Sequence, residues 1–256
     1  MFAPRAMVFD IDGTLTESKS ALAPEMGAVL VALLKKMPVA IMSGGSYEQF
    51  QKQFLSGLPE GADLTNLYLF PTSAAQCYTW KDGTWEFLYN NPFTPEEKQR
   101  VLEALAKVLH ATGLDTPPPQ VWGEQIEDRG SQITWSALGQ EAPIAAKKVW
   151  DPDRTKRLPA QELLMQELPD FSIRANATSS IDITRVGITK AYGVRRFSDI
   201  VAIPIDEMQY VGDALFPGGN DEIVKETGIP THQVSGPAET LSVIQSVVQS
   251  NPTPLA

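Results

Sequence analysis

The chain lacks several features that would narrow its class at once. It has a single cysteine, Cys77, which cannot form an internal disulfide, and two histidines, which with that cysteine make no zinc-binding cluster. No apolar run approaches the ~18 residues of a membrane-spanning helix, and residues 1–12 have no charged stretch followed by an apolar stretch of signal-peptide length. We therefore expect a soluble, cytoplasmic protein with no membrane partner.

Positive charge is also scarce. The chain has 21 Lys and Arg against 31 Asp and Glu, so its net charge is -10. This charge disfavours nonspecific electrostatic binding to nucleic acid or to an anionic membrane. Any bound phosphate must then be held by charged or hydrogen-bonding groups at its own site, and not by the overall charge of the protein. The 256 residues, 43% of them apolar, can bury a sizeable core, and at roughly 150 residues per domain they form one large domain or two modest ones.

Both ends of the chain have an α/β pattern. Continuous apolar runs at 6–9 and 39–42 indicate strands buried on both faces, and an amphipathic pattern at 24–37 indicates a helix between them. A strand at 208–211 and a final amphipathic helix follow in the last seventy or so residues. This alternation predicts a Rossmann-like parallel sheet.

The middle of the chain has a different pattern. The dipeptide Asp82-Gly83 lies between aromatic residues and predicts a β-hairpin, and Thr94 with Glu97 forms a capping box that opens a helix. The pattern then predicts strands at 120–127 and 131–136, a helix at 161–168, and strands at 171–175 and 180–184. We expect an α/β core of residues 1–91 plus 186–256, with 92–185 inserted as an α+β (αββαββ) domain.

Acidic residues follow the ends of two predicted core strands. Asp10 and Asp12 end the first strand, before Gly13-Thr14, and Asp213 ends a later one. Asn220 and Asp221 follow a Pro-Gly-Gly turn. Open α/β sheets place ligands at this edge, and oxygen donors with waters suit Mg²⁺, although such a string can also be a plain Asx turn.

Two further features have a structural and a functional interpretation. Ser43-Gly44 follows the second strand and is either a helix cap or a receptor for phosphate oxygens at a helix N-terminus. Lys190, near a predicted helix start, is in isolation most often a solvated side chain.

Together these residues resemble the haloacid dehalogenase (HAD) superfamily. The segments 9–16, 43–46 and 212–221, with Lys190, look like its four ordered motifs, and the insertion resembles the C2B-type cap domain of subclass IIB. The last motif, G-D-x-x-x-P-G-G-N-D, looks specifically like that of the phosphomannomutase family.

The resemblance implies roles for the core residues. Asp10 would be the nucleophile that forms an aspartyl-phosphate, and Asp12 would be the general acid and base. Ser43 and the Gly44 backbone would bind phosphoryl oxygens, with Lys190 offsetting charge on Asp10. Mg²⁺ would be held by Asp10, the Asp12 carbonyl and Asp213, supported by Asn220 and Asp221.

The resemblance also implies a phosphosugar site in the cap. Arg129 matches the family's first cap arginine, whereas the second falls on Gln140 and the third on Lys147; a further arginine after the nucleophile falls on Lys19. Ser180 and Asp182 match sugar-hydroxyl ligands. These residues could equally form a solvated sheet face with incidental salt bridges.

Loss of planar guanidinium groups weakens a second phosphate site, so hydrolysis of a sugar phosphate monoester is the preferred function. The alternatives are a phosphomannomutase and a noncatalytic phosphosugar-binding protein, and the latter would have no need of a proton-transfer carboxylate at Asp12. Pairing through caps, as in the phosphomannomutases, implies a homodimer, although the apolar residues could all be internal. The segment 225–228 argues against the second, structural cation of that family.

Overall fold

The computed structural model describes residues 3–17, 20–175 and 179–250. The chain divides into two compact units, Met1–Asn90 with Thr189–Ala256 and Asn91–Ile188. The second unit overlaps the predicted insertion, 92–185. Among the described residues, no helix combines the length and apolarity needed to cross a membrane.

Seven helices and eleven strands are found in the described ranges. In chain order they are β1 Ala6–Asp10, α1 Pro24–Leu34, β2 Val39–Met42, α2 Tyr47–Gln53, β3 Leu67–Phe70, β4 Gln76–Lys81, β5 Thr84–Asn90, α3 Pro95–Ala111, β6 Ile126–Asp128, β7 Gln132–Ser136, α4 Ile144–Trp150, α5 Arg157–Glu167, β8 Phe171–Arg174, β9 Ser180–Arg185, α6 Lys190–Val201, β10 Met208–Gly212, β11 Thr231–Gln233 and α7 Pro237–Ser250.

The first unit is built on a seven-stranded sheet of order β11-β10-β1-β2-β3-β4-β5. Strands β11, β10, β1, β2 and β3 run parallel, and the hairpin β4–β5 is antiparallel. Asp10 in β1 lies opposite Met42 in β2, and Phe9 lies opposite Val211 in β10. The carboxyl ends of these three strands therefore meet at one edge of the sheet.

Side chains of the central strands alternate between two apolar clusters. Met7 and Phe9 join the cluster on the side of α1 and α7, whereas Ala6 and Val8 join the cluster on the side of α6. Burial on both faces explains the continuous apolar run in the sequence. The strand ends are held firmly between two helical layers.

The hairpin forms at the predicted dipeptide. Asp82 and Gly83 have φ angles of 50° and 82°, the left-handed pair that a type I′ turn requires. The exposed turn closes the strands that carry two aromatic pairs, Tyr78–Phe87 with tilted rings and Trp80–Trp85 with an edge-to-face arrangement.

The second unit has a four-stranded antiparallel sheet of order β6-β7-β9-β8. One face of this sheet supplies Ile133, Trp135, Ile181 and Ile183 to an apolar cluster that also takes residues from α3 and α5. The opposite face is polar, because side chains alternate along a strand. It carries Gln132, Thr134, Ser136, Ser180, Asp182 and Thr184.

The structure confirms the predicted fold class and corrects parts of it. The strand predicted at 120–127 forms only at Ile126–Asp128, because Gly123 has a φ of 71°, which breaks an extended run. Helix α4 makes the insertion αββααββ; it was missed because its sequence pairs two alanines with two lysines and has no long apolar stripe. Strands β3 and β11 were also missed, and α1 ends three residues early.

Candidate active site

Three carboxylates converge at the carboxyl edge of the parallel sheet. Asp10 ends β1, Asp213 directly follows β10, and Asp221 lies beyond the next turn. Each offers an oxygen, and these oxygens lie within 4.8 Å of one another. Asp10 and Asp221 are buried, whereas Asp213 is partly exposed. Of the acids predicted to hold a metal, Asp10, Asp213 and Asp221 are thus brought together, whereas the Asp12 carboxylate is not part of this group. The oxygen donors of the three suit a hard divalent cation.

Lys190 is the positive charge of this cluster. It begins α6, whose N-cap Thr189 accepts a hydrogen bond from the Tyr192 amide at 3.3 Å. The buried Lys190 ammonium pairs with Asp10 and with Asp221, whose Oδ1 lies 2.6 Å from Nζ. Lys190 is therefore a structural partner of both acids and is not a solvated side chain.

Burial and mutual repulsion dominate the electrostatics. Burial, opposed by the Lys190 charge and aided by the Asp221 charge, raises the pKa of Asp10 to about 8. Burial and the Asp221 charge also raise the pKa of Asp213. Burial works against the Lys190 ammonium, but the charges of Asp10 and Asp221 raise its pKa overall. When all four groups are ionised, the three carboxylates and one ammonium carry a formal net charge of -2, which a divalent cation would neutralise.

The turn after β1 fits tightly against Asp213. Gly13 has a φ of 80°, and a Cβ there would lie 2.5 Å from an Asp213 carboxylate oxygen. The Thr14 hydroxyl accepts a hydrogen bond from the Asp213 amide at 3.0 Å. Asp12 is partly exposed, and its Oδ1 accepts a hydrogen bond from Gln53 Nε2 at 2.8 Å. Thr14 and Gln53 were not singled out from the sequence, since neither contact follows from local spacing.

Asp221 and Asn220 differ in their surroundings. Asn220 is exposed, whereas Asp221 is fully buried and accepts a hydrogen bond from the Tyr210 hydroxyl at 2.7 Å. Tyr210 could not be selected from the sequence, because it looks like an ordinary core residue of β10.

Ser43 follows β2 at the same sheet edge as Asp10. Its hydroxyl accepts a hydrogen bond from the Gly45 amide at 3.1 Å, and Gly44 is partly exposed. The amides of Thr72 and Ser73, both with positive φ angles, donate to the carbonyls of Gly45 at 2.8 Å and Ser43 at 3.0 Å. The backbone of this loop is therefore held from the end of β3.

The predicted cap residues lie in the second unit. Arg129 Nη2 donates to Glu127 at 2.6 Å, and the buried Lys147 donates through Nζ to the Gln140 carbonyl at 2.9 Å. Asp182 accepts a hydrogen bond from the Thr134 hydroxyl at 2.8 Å on the polar sheet face.

Ser180 begins β9, and its carbonyl accepts a hydrogen bond from Arg157 at 3.0 Å. Lys19 lies outside the described residues.

No family model matches the chain. It is similar to phosphomannomutase 2 of Dictyostelium discoideum, with 26% identity over 249 residues, 93% of this chain and 94% of that protein. It is also similar to a phosphomannomutase of Schizosaccharomyces pombe, with 24% identity over 254 residues, 96% of this chain and 95% of that protein.

Solved structures share the fold. An IMP-bound, N-terminally truncated IMP-nucleotidase of Plasmodium falciparum aligns with a TM-score of 0.68 and 18% identity over 96% of this chain and 68% of its own. A haloacid dehalogenase-like hydrolase of Bacteroides thetaiotaomicron aligns with a TM-score of 0.66 and 13% identity over 95% and 99%.

The fold is that of the haloacid dehalogenase superfamily, and the acidic cluster together with the relatives indicates an enzyme that transfers phosphoryl groups. Within that superfamily the chain is phosphomannomutase-like, since the similarity to phosphomannomutases runs through both units.

Proposed function

We propose that this chain is a Mg²⁺-dependent phosphosugar mutase of the phosphomannomutase type, interconverting mannose 1-phosphate and mannose 6-phosphate. The observation that carries the proposal is similarity to phosphomannomutases over 93% of the chain, which includes the cap region as well as the acidic cluster. The proposal places the mutase reaction ahead of hydrolysis, which was the function preferred from the sequence alone.

Asp10 is proposed as the nucleophile. One of its carboxylate oxygens attacks the phosphorus, the bond from phosphorus to the sugar oxygen breaks, and the Asp10 acyl phosphate forms. Support comes from its fixed place at the end of β1 and its ion pair with Lys190, which offsets charge as an anionic phosphoryl group approaches.

Asp12 is proposed as the proton carrier. It protonates the departing sugar oxygen and then takes a proton from the hydroxyl that attacks the acyl phosphate, so the two half-reactions balance. Its partial exposure leaves it accessible to a substrate, and Gln53 orients its carboxylate.

The cation proposed for the cluster is Mg²⁺, held by Asp10 and Asp213, with Asp221, Asn220 and the Asp12 carbonyl as further donors. When bound, it would offset the carboxylate charge and polarise phosphoryl oxygens. The formal charge of -2 on the cluster and its oxygen-only donor set support this choice.

Ser43 and the Gly44 backbone are proposed to bind phosphoryl oxygens. The loop lies beside the Asp10 end of the sheet, and its hydrogen bonds to Thr72 and Ser73 fix its shape before a phosphate arrives. Pre-set donors of this kind need little reorganisation during the reaction.

The polar face of the second unit is proposed to hold the sugar and its distal phosphate. Arg129 and Lys147 supply positive charge, Ser180 and Asp182 supply hydroxyl partners, and Gln140 takes the place of an arginine. A homodimer through this unit and a cytoplasmic location remain predictions.

Hydrolysis is the second candidate, and the contacts of the cap cations favour it. Arg129 already pairs with Glu127, and Lys147 donates to the Gln140 carbonyl. Loss of a guanidinium partner costs on the order of 1.5–3 kcal/mol of phosphate affinity, which would let a bisphosphate escape and water take its place.

The test is ³¹P NMR of the enzyme with mannose 1-phosphate, Mg²⁺ and a catalytic amount of mannose 1,6-bisphosphate. A mutase produces mannose 6-phosphate without inorganic phosphate. Stoichiometric inorganic phosphate without the 6-phosphate would make the chain a hydrolase, and sugar-phosphate binding without either product would make it a binding protein. Asp10→Asn and a chelator serve as controls, and both should abolish turnover.

A further inference from the structure

Tyr210 is a fully buried tyrosine in the middle of β10, opposite Val8 of β1. Its ring belongs to the apolar cluster that includes Val194, Phe197 and Leu215. A phenylalanine would fill this cluster equally well and would bring no polar atom to satisfy. The hydroxyl must therefore be explained by what it contacts.

That hydroxyl donates to the most deeply buried acid of the active site. Tyr210 lies 2.7 Å from Asp221 Oδ1, which also accepts from Lys190 Nζ at 2.6 Å. The other oxygen, Oδ2, accepts from the Ala214 amide at 3.2 Å. A carboxylate has about four acceptor sites, so three donors leave about one for a cation.

The tyrosine also affects Lys190, which Asp221 shares with Asp10. A hydrogen bond from a buried phenol stabilises negative charge on Asp221. Asp221 then depends less on the lysine, and the Lys190 charge stays available to Asp10.

Gly212 leaves the space that this pair needs. A Cβ at Gly212 would lie 2.5 Å from Asp221 Oδ2 and 2.9 Å from Tyr210 Cε1. The backbone between Tyr210 and Asp213 is therefore compatible with the tyrosine–aspartate contact only without a side chain at this position.

We propose that Tyr210 is a positioning residue of the active site. Its hydroxyl holds the Asp221 carboxylate in place and so determines how closely the Lys190 ammonium pairs with Asp221 and how closely with Asp10. The turnover arm of its test rests on the proposed function, whereas the cation-binding arm does not.

The test compares Tyr210→Phe with Tyr89→Phe, a matched variant that loses a partly buried hydroxyl donating to the neutral Ala74 carbonyl at 2.9 Å. The first readout is the Mg²⁺ concentration that gives half of the thermal stabilisation without substrate. The second is kcat and KM in the mannose phosphate assay.

For Tyr210→Phe we expect the Mg²⁺ midpoint to rise at least threefold, because Asp221 loses the donor that holds its carboxylate in place and pairs more closely with Lys190. We expect kcat to fall about tenfold with KM within twofold, because Lys190 moves toward Asp221 and away from Asp10. Tyr89→Phe should keep both values and lose only thermal stability.

A Tyr210→Phe midpoint equal to that of the wild type overturns the proposal, as does an equal shift in Tyr89→Phe. If the wild type converts no mannose phosphate, the proposed function fails, and the Mg²⁺ midpoint still decides the role of Tyr210.

Discussion

Asp10 lies where burial opposes its charge, and it is also the residue proposed as the nucleophile. It is buried with two other acids, and Lys190 is the cation that pairs with it. Burial of a carboxylate is costly unless charge is compensated, which explains the strongly raised pKa. The same burial keeps water from the oxygen that is proposed to attack phosphorus.

This raised pKa predicts a pH dependence of stability in the metal-free protein. The pKa of Asp10 is about 8 in the folded protein and 3.8 for an ordinary aspartate, so between these values the folded chain binds more protons than the unfolded chain. The free energy of unfolding must then fall as pH rises through this window, by up to about 1.4 kcal/mol per pH unit from this group.

Asp10→Asn removes that contribution. Thermal melting from roughly pH 5 to pH 8 with a chelator should show the wild type losing stability relative to Asp10→Asn as pH rises. Asp199→Asn, an exposed acid on α6, should follow the wild type. Parallel curves for wild type and Asp10→Asn would contradict the assigned shift.

At the scale of elements, α6 is the helix that delivers Lys190 to the sheet edge. Gly193 lies in its first turns, and a Cβ there would be 2.6 Å from Ala74 Cβ and 3.0 Å from Met42 Sδ. The close approach of the helix to β2 therefore depends on this glycine.

Gly193→Ala should reverse the usual effect of such a change. Alanine in a helix interior normally stabilises by about 1 kcal/mol over glycine, but overpacking here should destabilise by about 1–3 kcal/mol. Turnover should fall as well, because α6 is pushed outward with Lys190.

The control is Gln245→Ala on the exposed face of α7, which should change stability by less than about 0.5 kcal/mol. A Gly193→Ala variant that is stabilised and fully active would contradict the packing argument.

Sequence patterns located the acids of the site because buried parallel strands have a strong signal and their ends share one edge. Asp10 and Asp213 follow such strands, and Asp221 follows a recognisable turn. The role of Tyr210 could not be predicted from the sequence, because its hydrogen-bond partner depends on which side chains of β10 face the layer of α6. The strand predicted at 120–127 was wrong over 120–125, because Gly123 takes a left-handed conformation that residue spacing does not reveal.

At the scale of the whole molecule, two units divide the work proposed for the enzyme. The first carries the acidic cluster, and the second carries the polar sheet face and also Arg129, which follows β6, and Lys147, which lies in α4. The choice between mutase and hydrolase then depends on how firmly the second unit holds a second phosphate.

Gln140→Arg tests that dependence. Among the described residues, the buried Gln140 Nε2 has no hydrogen-bond partner, so the donor at this position is not engaged by another group of the protein. A guanidinium there should lower the KM for mannose 1,6-bisphosphate at least about tenfold, since a charge-assisted bond contributes about 1.5 kcal/mol or more. Gln120→Arg, which adds the same charge at an exposed position of the second unit, should leave this KM unchanged; an equal decrease in both would attribute the effect to net charge.

The most direct measurement is mass spectrometry of the enzyme quenched in acid during turnover of mannose 1-phosphate with Mg²⁺. The account predicts one phosphoryl group on the peptide that contains Asp10, absent in Asp10→Asn and absent when a chelator is present. Steady turnover with the phosphoryl group on another residue, or with none on the enzyme, would contradict it.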